Sequence, residues 1–203
     1  MPLFFSELNP KFPGLTFSTT NFVDDSFIDK VNSYIKKQHL YKASFVGKHH
    51  HEHKNFNKVR NARINWMSDE KYKDDLMPLY EEITGRIRCV NDNHWRWVID
   101  GWEPFQYTEY DESYKGHYDW HIDYGYKIPQ NELSRKLSFS LGISEKDEYE
   151  GGELILKMSL DEQTIKLDKG EIFVFPSWML HKVTPVTKGK RKVIVGWGLG
   201  PVI

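Results

Sequence analysis

Two stretches of this 203-residue chain carry residue types that could do chemistry. The first is His121-Ile122-Asp123. In a strand, alternate side chains share a face, so this imidazole and this carboxylate would emerge together. Placed so, they can take two adjacent corners of one metal ion. A third imidazole from a distant strand would complete a face of two histidines and one carboxylate. Three coordination positions then stay open, which suits iron(II), a chelating co-substrate and O2. The second stretch is Lys48-His49-His50-His51-Glu52-His53, which resembles a metal-binding tract. No regular periodicity gives it fixed geometry, so it reads as a surface loop or a lid.

Taken alone, His-x-Asp is a weak signal. His117-Tyr118-Asp119 repeats it four residues earlier with the same parity. At about 3.3 Å per residue the two histidines would stand roughly 13 Å apart, so only one pair can serve a given metal. An isolated match is more often a solvated polar edge than a ligand pair.

The elements that must position these residues fall into two textures. Asp24-Asp25-Ser26 offers N-caps for a helix whose Phe27, Val31, Tyr34 and Ile35 share a face. Ser68 can cap a second helix beginning near Asp69-Glu70, with Leu76, Tyr80, Ile83 and Ile87 on one side and Pro78 awkward within it. Between them, the end of Val59–Trp66 reads as a strand. Beyond about residue 93 the pattern alternates: Trp95, Trp97 and Ile99 share one parity, as do Phe105, Tyr107 and Glu109. Further strands are expected at 115–123, 135–143, 153–158, 164–168, 171–176, 181–186 and 191–198, the last two as a hairpin turning at Lys188-Gly189. Two helices followed by many short strands predict an α+β, mostly β domain, a barrel or a double-sheet jelly roll with N-terminal helices packed outside. The whole chain, 1–203, reads as one domain, with helical support over about 20–90 and a β core over about 95–200.

The neighbourhood of the second His-x-Asp pair is more specific than the pair itself. Gly116-His117-Tyr118-Asp119-Trp120-His121-Ile122-Asp123 resembles the Gly-x-Tyr-x-x-His-x-Asp signature of the prolyl 4-hydroxylase-like branch of the 2-oxoglutarate- and iron(II)-dependent oxygenases. Tyr149-Glu150-Gly151-Gly152-Glu153-Leu154 is similar to a second family motif, and the run from Gly170 through His181 to Gly189-Lys190-Arg191 to two more. The resemblance spans roughly residues 60–198 with the motifs in order. It implies a double-stranded β-helix in which the final strands cross between two sheets. It also implies that His121, Asp123 and His181 hold iron(II), that Arg191 binds 2-oxoglutarate, and that Tyr110 and Tyr118 help to bind it. Trp197 and Arg60 would face substrate. O2 is the further co-substrate, ascorbate the external reductant, and a peptide or protein hydroxylated at proline the expected substrate. Arg191 has a physical logic of its own, because a planar, permanently charged guanidinium grips a carboxylate through two parallel hydrogen bonds. One departure stands out: many relatives place a tyrosine near the end of the strand after His-x-Asp, and the stretch Arg135–Gly142 contains none. Tyr107, Tyr110 and Ser140 are the candidates to replace it. Residues 46–58, which include the histidine tract, fall where relatives carry a substrate-covering loop.

Composition bounds these readings. The net charge is −1 and the pI about 6.8, so no global basic field exists for nucleic acid. Cys89 is the single cysteine, which excludes an intramolecular disulfide and any cysteine-held cluster. No basic, apolar leader and no apolar run of spanning length occur, so a cytoplasmic protein without a membrane partner is the expectation. Two other functions stay open: hydroxylation of a free amino acid or small metabolite, and a non-enzymatic β-barrel binding module.

Overall fold

The computed structural model describes residues 14–43, 59–124 and 133–201. The histidine tract and the whole of the expected 46–58 loop lie outside the described residues. In chain order, β1 (Phe17–Thr19) leads into α1 (Asp25–Ile35), then β2 (Tyr41–Lys42), β3 (Arg60–Asn61) and β4 (Arg63–Trp66). A 3-10 turn over Glu70–Tyr72 opens α2 (Lys73–His94). The remainder is β5 (Gly101–Trp102), β6 (Gln106–Asp111), β7 (His117–His121), β8 (Leu133–Gly142), β9 (Tyr149–Gly151), β10 (Leu154–Met158), β11 (Asp161–Ile165), β12 (Ile172–Pro176), β13 (Leu180–Val183) and β14 (Val186–Pro201).

The strands form two antiparallel sheets. The larger runs β1-β12-β8-β14-β6-β4-β2, with β5 and β9 also paired to β14; the smaller runs β11-β10-β13-β7-β3. Successive strands β7, β8, β10, β12, β13 and β14 therefore alternate or switch between the two layers. This is the expected double-stranded β-helix, or jelly roll. The first strand pair obeys the same rule: β3 pairs with β7 and β4 with β6, so the chain changes sheets at buried Ala62.

The two described α-helices pack on the outer face of the larger sheet. Asp24 caps α1 by accepting the Phe27 N–H at 2.9 Å, and Phe27, Val31 and Tyr34 face inward. From α2, Leu76, Ile83 and Ile87 join Phe105, Phe139 and Leu141 in the same apolar cluster. A second cluster fills the space between the sheets, with Leu154, Leu156 and Val183 meeting Phe173, Phe175 and Val193. Each such side chain contributes about 1.5–3 kcal/mol on burial. No described helix is long and apolar enough to cross a membrane.

Three local expectations change. Asp69, not Ser68, caps the entry to the second helix, accepting from Lys71 N–H at 3.0 Å, and the helix runs through Pro78 to His94. The alternation at Trp95, Trp97 and Ile99 is not a strand: Arg96 adopts φ 54°, and Asn91 at the end of α2 bonds Trp97 at both its N–H and its carbonyl. Lys188-Gly189 is not a hairpin turn. The chain crosses between sheets at Thr184-Pro185, and β14 runs unbroken past β9, Lys188 opposite Glu150 and Gly189 opposite Tyr149. Gly189 has φ 70° and lies against the Glu148 carbonyl oxygen, so a side chain there would block this approach.

Candidate metal centre and co-substrate pocket

The site begins with a register shift. His181 on β13 pairs with His121 on β7, but Val183 pairs with Tyr118. β7 thus spends three residues where β13 spends two, a bulge that breaks the parity of the strand. In a regular strand positions 118 and 121 would face opposite ways. Here their rings stack, with centroids 3.5 Å apart and an interplanar angle of 14°. The bulge turns His121 toward His181, at 4.1 Å between ring centroids. Asp123 lies just beyond the end of β7, where its N–H and that of Tyr124 both donate to the Ser177 carbonyl, at 2.9 and 2.8 Å.

His121, Asp123 and His181 each bring one ligand atom to within 4.8 Å of the others. Among the described residues this is the only such cluster of three or more. The imidazoles are preset for coordination. His121 Nδ1 faces the Asp119 carbonyl at 2.7 Å, and His181 Nδ1 faces the Met179 carbonyl at 2.8 Å. A carbonyl can only accept, so each Nδ1 carries the proton and each Nε2 keeps its lone pair for a metal. Burial, and after it the neighbouring His181, pushes the His121 pKa down to about 3, so its imidazole is neutral at ordinary pH. Burial alone would raise the Asp123 pKa, but His181, His121, Arg135 and a hydrogen bond from Trp197 together hold it below its ordinary value.

Residues not singled out by sequence hold the carboxylate in place. Ser138 Oγ donates to Asp123 Oδ2 at 2.8 Å and lies 2.9 Å from Ser177 Oγ. Arg135 approaches Asp123 Oδ1 at 3.9 Å while gripping Glu103 through two hydrogen bonds of 2.7 and 2.6 Å. Its guanidinium stacks over Trp197 at 3.8 Å. The first pair is placed elsewhere: exposed Asp119 accepts from its neighbour's backbone N–H at Trp120, and His117 Nδ1 faces the Lys115 carbonyl.

A cavity of about 330 Å³ connects His121, Asp123 and His181 to Arg191. Arg191 is 2% exposed, opposite Tyr110 in the β14–β6 register, with its guanidinium 5.4 Å from the Tyr110 ring. Its Nη2 reaches Ser140 Oγ at 3.5 Å and the Tyr149 phenol is a further hydrogen-bonding neighbour. Among the described residues no carboxylate pairs with it. A buried cation without a counter-charge is costly, and a ligand carboxylate would supply that charge. Of the three candidates for the absent tyrosine, Tyr110 and Ser140 line the cavity. Tyr107 instead sits in the helix-facing core, where burial pushes its phenol pKa up. Tyr118, Arg60 and Trp197 are also wall residues. Arg60 stacks on Tyr118 at 4.6 Å and donates to Gln106 at 2.7 Å, and its Nε is buried without a partner among the described residues.

Residues 105–198 match the model of the 2OG-Fe(II) oxygenase superfamily. Over that stretch, a little under half of its length, this chain is similar to that superfamily. A PKHD-type hydroxylase of Rippkaea orientalis is 41% identical over 80 residues, which is 39% of this chain and 36% of the relative. The chain thus spans little more than a third of that curated relative's length. Among solved structures, a Pseudomonas putida prolyl-4-hydroxylase superposes with a TM-score of 0.66 at 17% identity, covering 90% of this chain and 91% of that one. A Trichoplax adhaerens prolyl hydroxylase, solved with a peptide fragment of the hypoxia inducible factor oxygen degradation domain, gives 0.70 at 18% identity, covering 91% and 83%. At these identities the solved structures speak for the fold.

Proposed function

We propose that this chain is an iron(II)- and 2-oxoglutarate-dependent hydroxylase of peptidyl proline. His121, Asp123 and His181 would hold the metal. Arg191, with Tyr110, Ser140 and Tyr149 around it, would hold the distal carboxylate of 2-oxoglutarate. The observation that carries this reading is the buried, carboxylate-free Arg191 on the same cavity as a His-Asp-His cluster. Iron(II) with 2-oxoglutarate and O2 supplies oxidative decarboxylation to succinate and CO2, coupled to hydroxylation of a C–H bond. The chain's own residues do the rest. Ser138, Trp197 and Arg135 orient Asp123, the backbone carbonyls of residues 119 and 179 fix the imidazole tautomers, and the apolar wall of Phe175, Leu154 and Val183 excludes water.

Tyr118 and Arg60 form the wall on the open side of His121, where a substrate chain would lie. A peptide substrate is favoured by the prolyl hydroxylase relatives, one of them solved with a peptide. We take the chain as one domain, because β1–β4 and both helices share the sheets and core of the β-rich part. The test is succinate formation with iron(II), 2-oxoglutarate and pools of proline-containing peptides, read with a one-oxygen mass gain in the peptide. Succinate driven by a free amino acid and by no peptide would move the chain to the small-molecule reading. No substrate-dependent succinate with either would refute the enzyme.

A further inference from the structure

Residues 149–153 touch Arg191 from outside the cavity whose wall it forms. Tyr149 on β9 lies opposite Gly189 in the β9–β14 register and is 2% exposed. Its phenol donates to the Leu167 carbonyl at 2.9 Å, which uses its only hydrogen. Toward Arg191 the same oxygen can therefore only accept, and it takes a hydrogen bond from the guanidinium. Burial raises the phenol's pKa above its ordinary value, so the oxygen stays neutral. A neutral acceptor fixes the guanidinium without cancelling its charge, which is left for a ligand.

The residues that follow close on the stem of the same side chain. Gly152 has φ 67°, and a Cβ there would stand 3.0 Å from Arg191 Cδ and 2.9 Å from Val186 Cγ2. Its N–H donates to the Pro185 carbonyl at 3.3 Å. Thr184 N–H donates to the Glu153 carbonyl at 3.0 Å, and Glu153 N–H returns a bond to Thr184 Oγ1 at 2.9 Å. The segment thus grips the sheet crossing at Thr184-Pro185, which lies between His181 and Arg191 in the chain.

We propose that Tyr149 and Gly152 are positioning residues, which hold the Arg191 guanidinium in one orientation toward the distal carboxylate of the co-substrate. The phenol oxygen fixes the head of the side chain, and the bare backbone at Gly152 gives its stem room to lie flat. A cation aimed in advance loses little freedom when its ligand arrives. This role rests on the reading that Arg191 binds 2-oxoglutarate, and it adds what aims the cation.

The test is calorimetry on the iron(II)-loaded chain without O2. It compares 2-oxoglutarate with 2-oxopentanoate, which carries a methyl group in place of the distal carboxylate. The native chain should bind 2-oxoglutarate the more tightly. Tyr149→Phe should weaken 2-oxoglutarate about tenfold, as for one hydrogen bond to a charged group, and leave 2-oxopentanoate unchanged. Gly152→Ala should act in the same direction, since its Cβ would press on the Arg191 stem. In the Arg191→Ala background, Tyr149→Phe should cost nothing further. A loss shared equally by both acids would mark a merely structural role and overturn the proposal. So would an unchanged 2-oxoglutarate affinity in Tyr149→Phe, or a loss of the same size that persists without Arg191. A native chain that does not distinguish the two acids would instead refute 2-oxoglutarate at Arg191. A preference lost in Arg191→Ala but kept in full in Tyr149→Phe would refute the positioning role alone.

Discussion

His117-Tyr118-Asp119 and His121-Ile122-Asp123 repeat one pattern within eight residues, yet they have opposite surroundings. Asp119 is exposed and turned onto the backbone of Trp120. Asp123 is received by Ser138, backed by Ser177 and approached by Arg135. The bulge between Tyr118 and His121 points the second histidine at His181, and His117 is left outside that cluster. The comparison teaches that a ligand pair is defined by what holds and aims it. The spacing of the two residue types is only the precondition.

The strongest way to break this comparison is to remove ligands one at a time. His121→Ala, Asp123→Ala and His181→Ala should each weaken iron(II) binding by more than about 100-fold, the upper end of what losing an outer hydrogen-bond partner costs. Anaerobic equilibrium dialysis reads this directly. Retained affinity in any of the three would refute the assignment of that residue.

Only the second pair opens onto the cavity shared with Arg191, so the next test is at the far end. Arg191→Ala should raise the Michaelis constant for 2-oxoglutarate, a loss of about 2–5 kcal/mol for a charge partner removed from a buried pair. Iron(II) affinity should change little. Arg191→Lys should recover part of the loss, because the charge stays while the two-pronged geometry goes. An unchanged constant in the alanine variant would remove the residue from the site.

A smaller effect sharpens the comparison at the carboxylate. Ser138→Ala deletes the donor to Asp123 Oδ2 and should weaken iron(II) binding about tenfold, measured by the same dialysis. At the bottom of the scale, Asp119→Ala and His117→Ala should leave iron(II) affinity as it is. Asp119→Ala should change stability by no more than about 0.5 kcal/mol in urea titration, as expected of an exposed site.

What sequence could reveal follows from how local each cause is. The cap at Asp24 and the inward face of α1 were legible because capping and helical spacing act within one turn. The jelly roll and its crossing final strands followed from the resemblance; residue patterns alone favoured a hairpin at Lys188-Gly189, because a turn signature does not reveal that β9 lies alongside. The bulge in β7 was invisible, since parity is counted on one strand and a register shift belongs to two. Ser138, Ser177 and Tyr149 were missed for the same reason: small hydroxyls and a motif tyrosine acquire roles only through partners far away in the chain. Ser177 and Tyr149 at least lay within stretches already matched to family motifs. Trp197 was expected at the substrate, and the fold sets its side chain to donate a hydrogen bond to Asp123, which sequence did not reveal. The false strand at Trp95–Ile99 arose because apolar alternation cannot register the left-handed turn at Arg96.

The most direct test of the central claim is anomalous diffraction at the iron edge, on crystals grown anaerobically with iron(II) and 2-oxoglutarate. The account predicts one anomalous peak bound by His121, Asp123 and His181, with the distal carboxylate of 2-oxoglutarate on Arg191. An iron peak at His117 and Asp119, or 2-oxoglutarate bound away from Arg191, would contradict it.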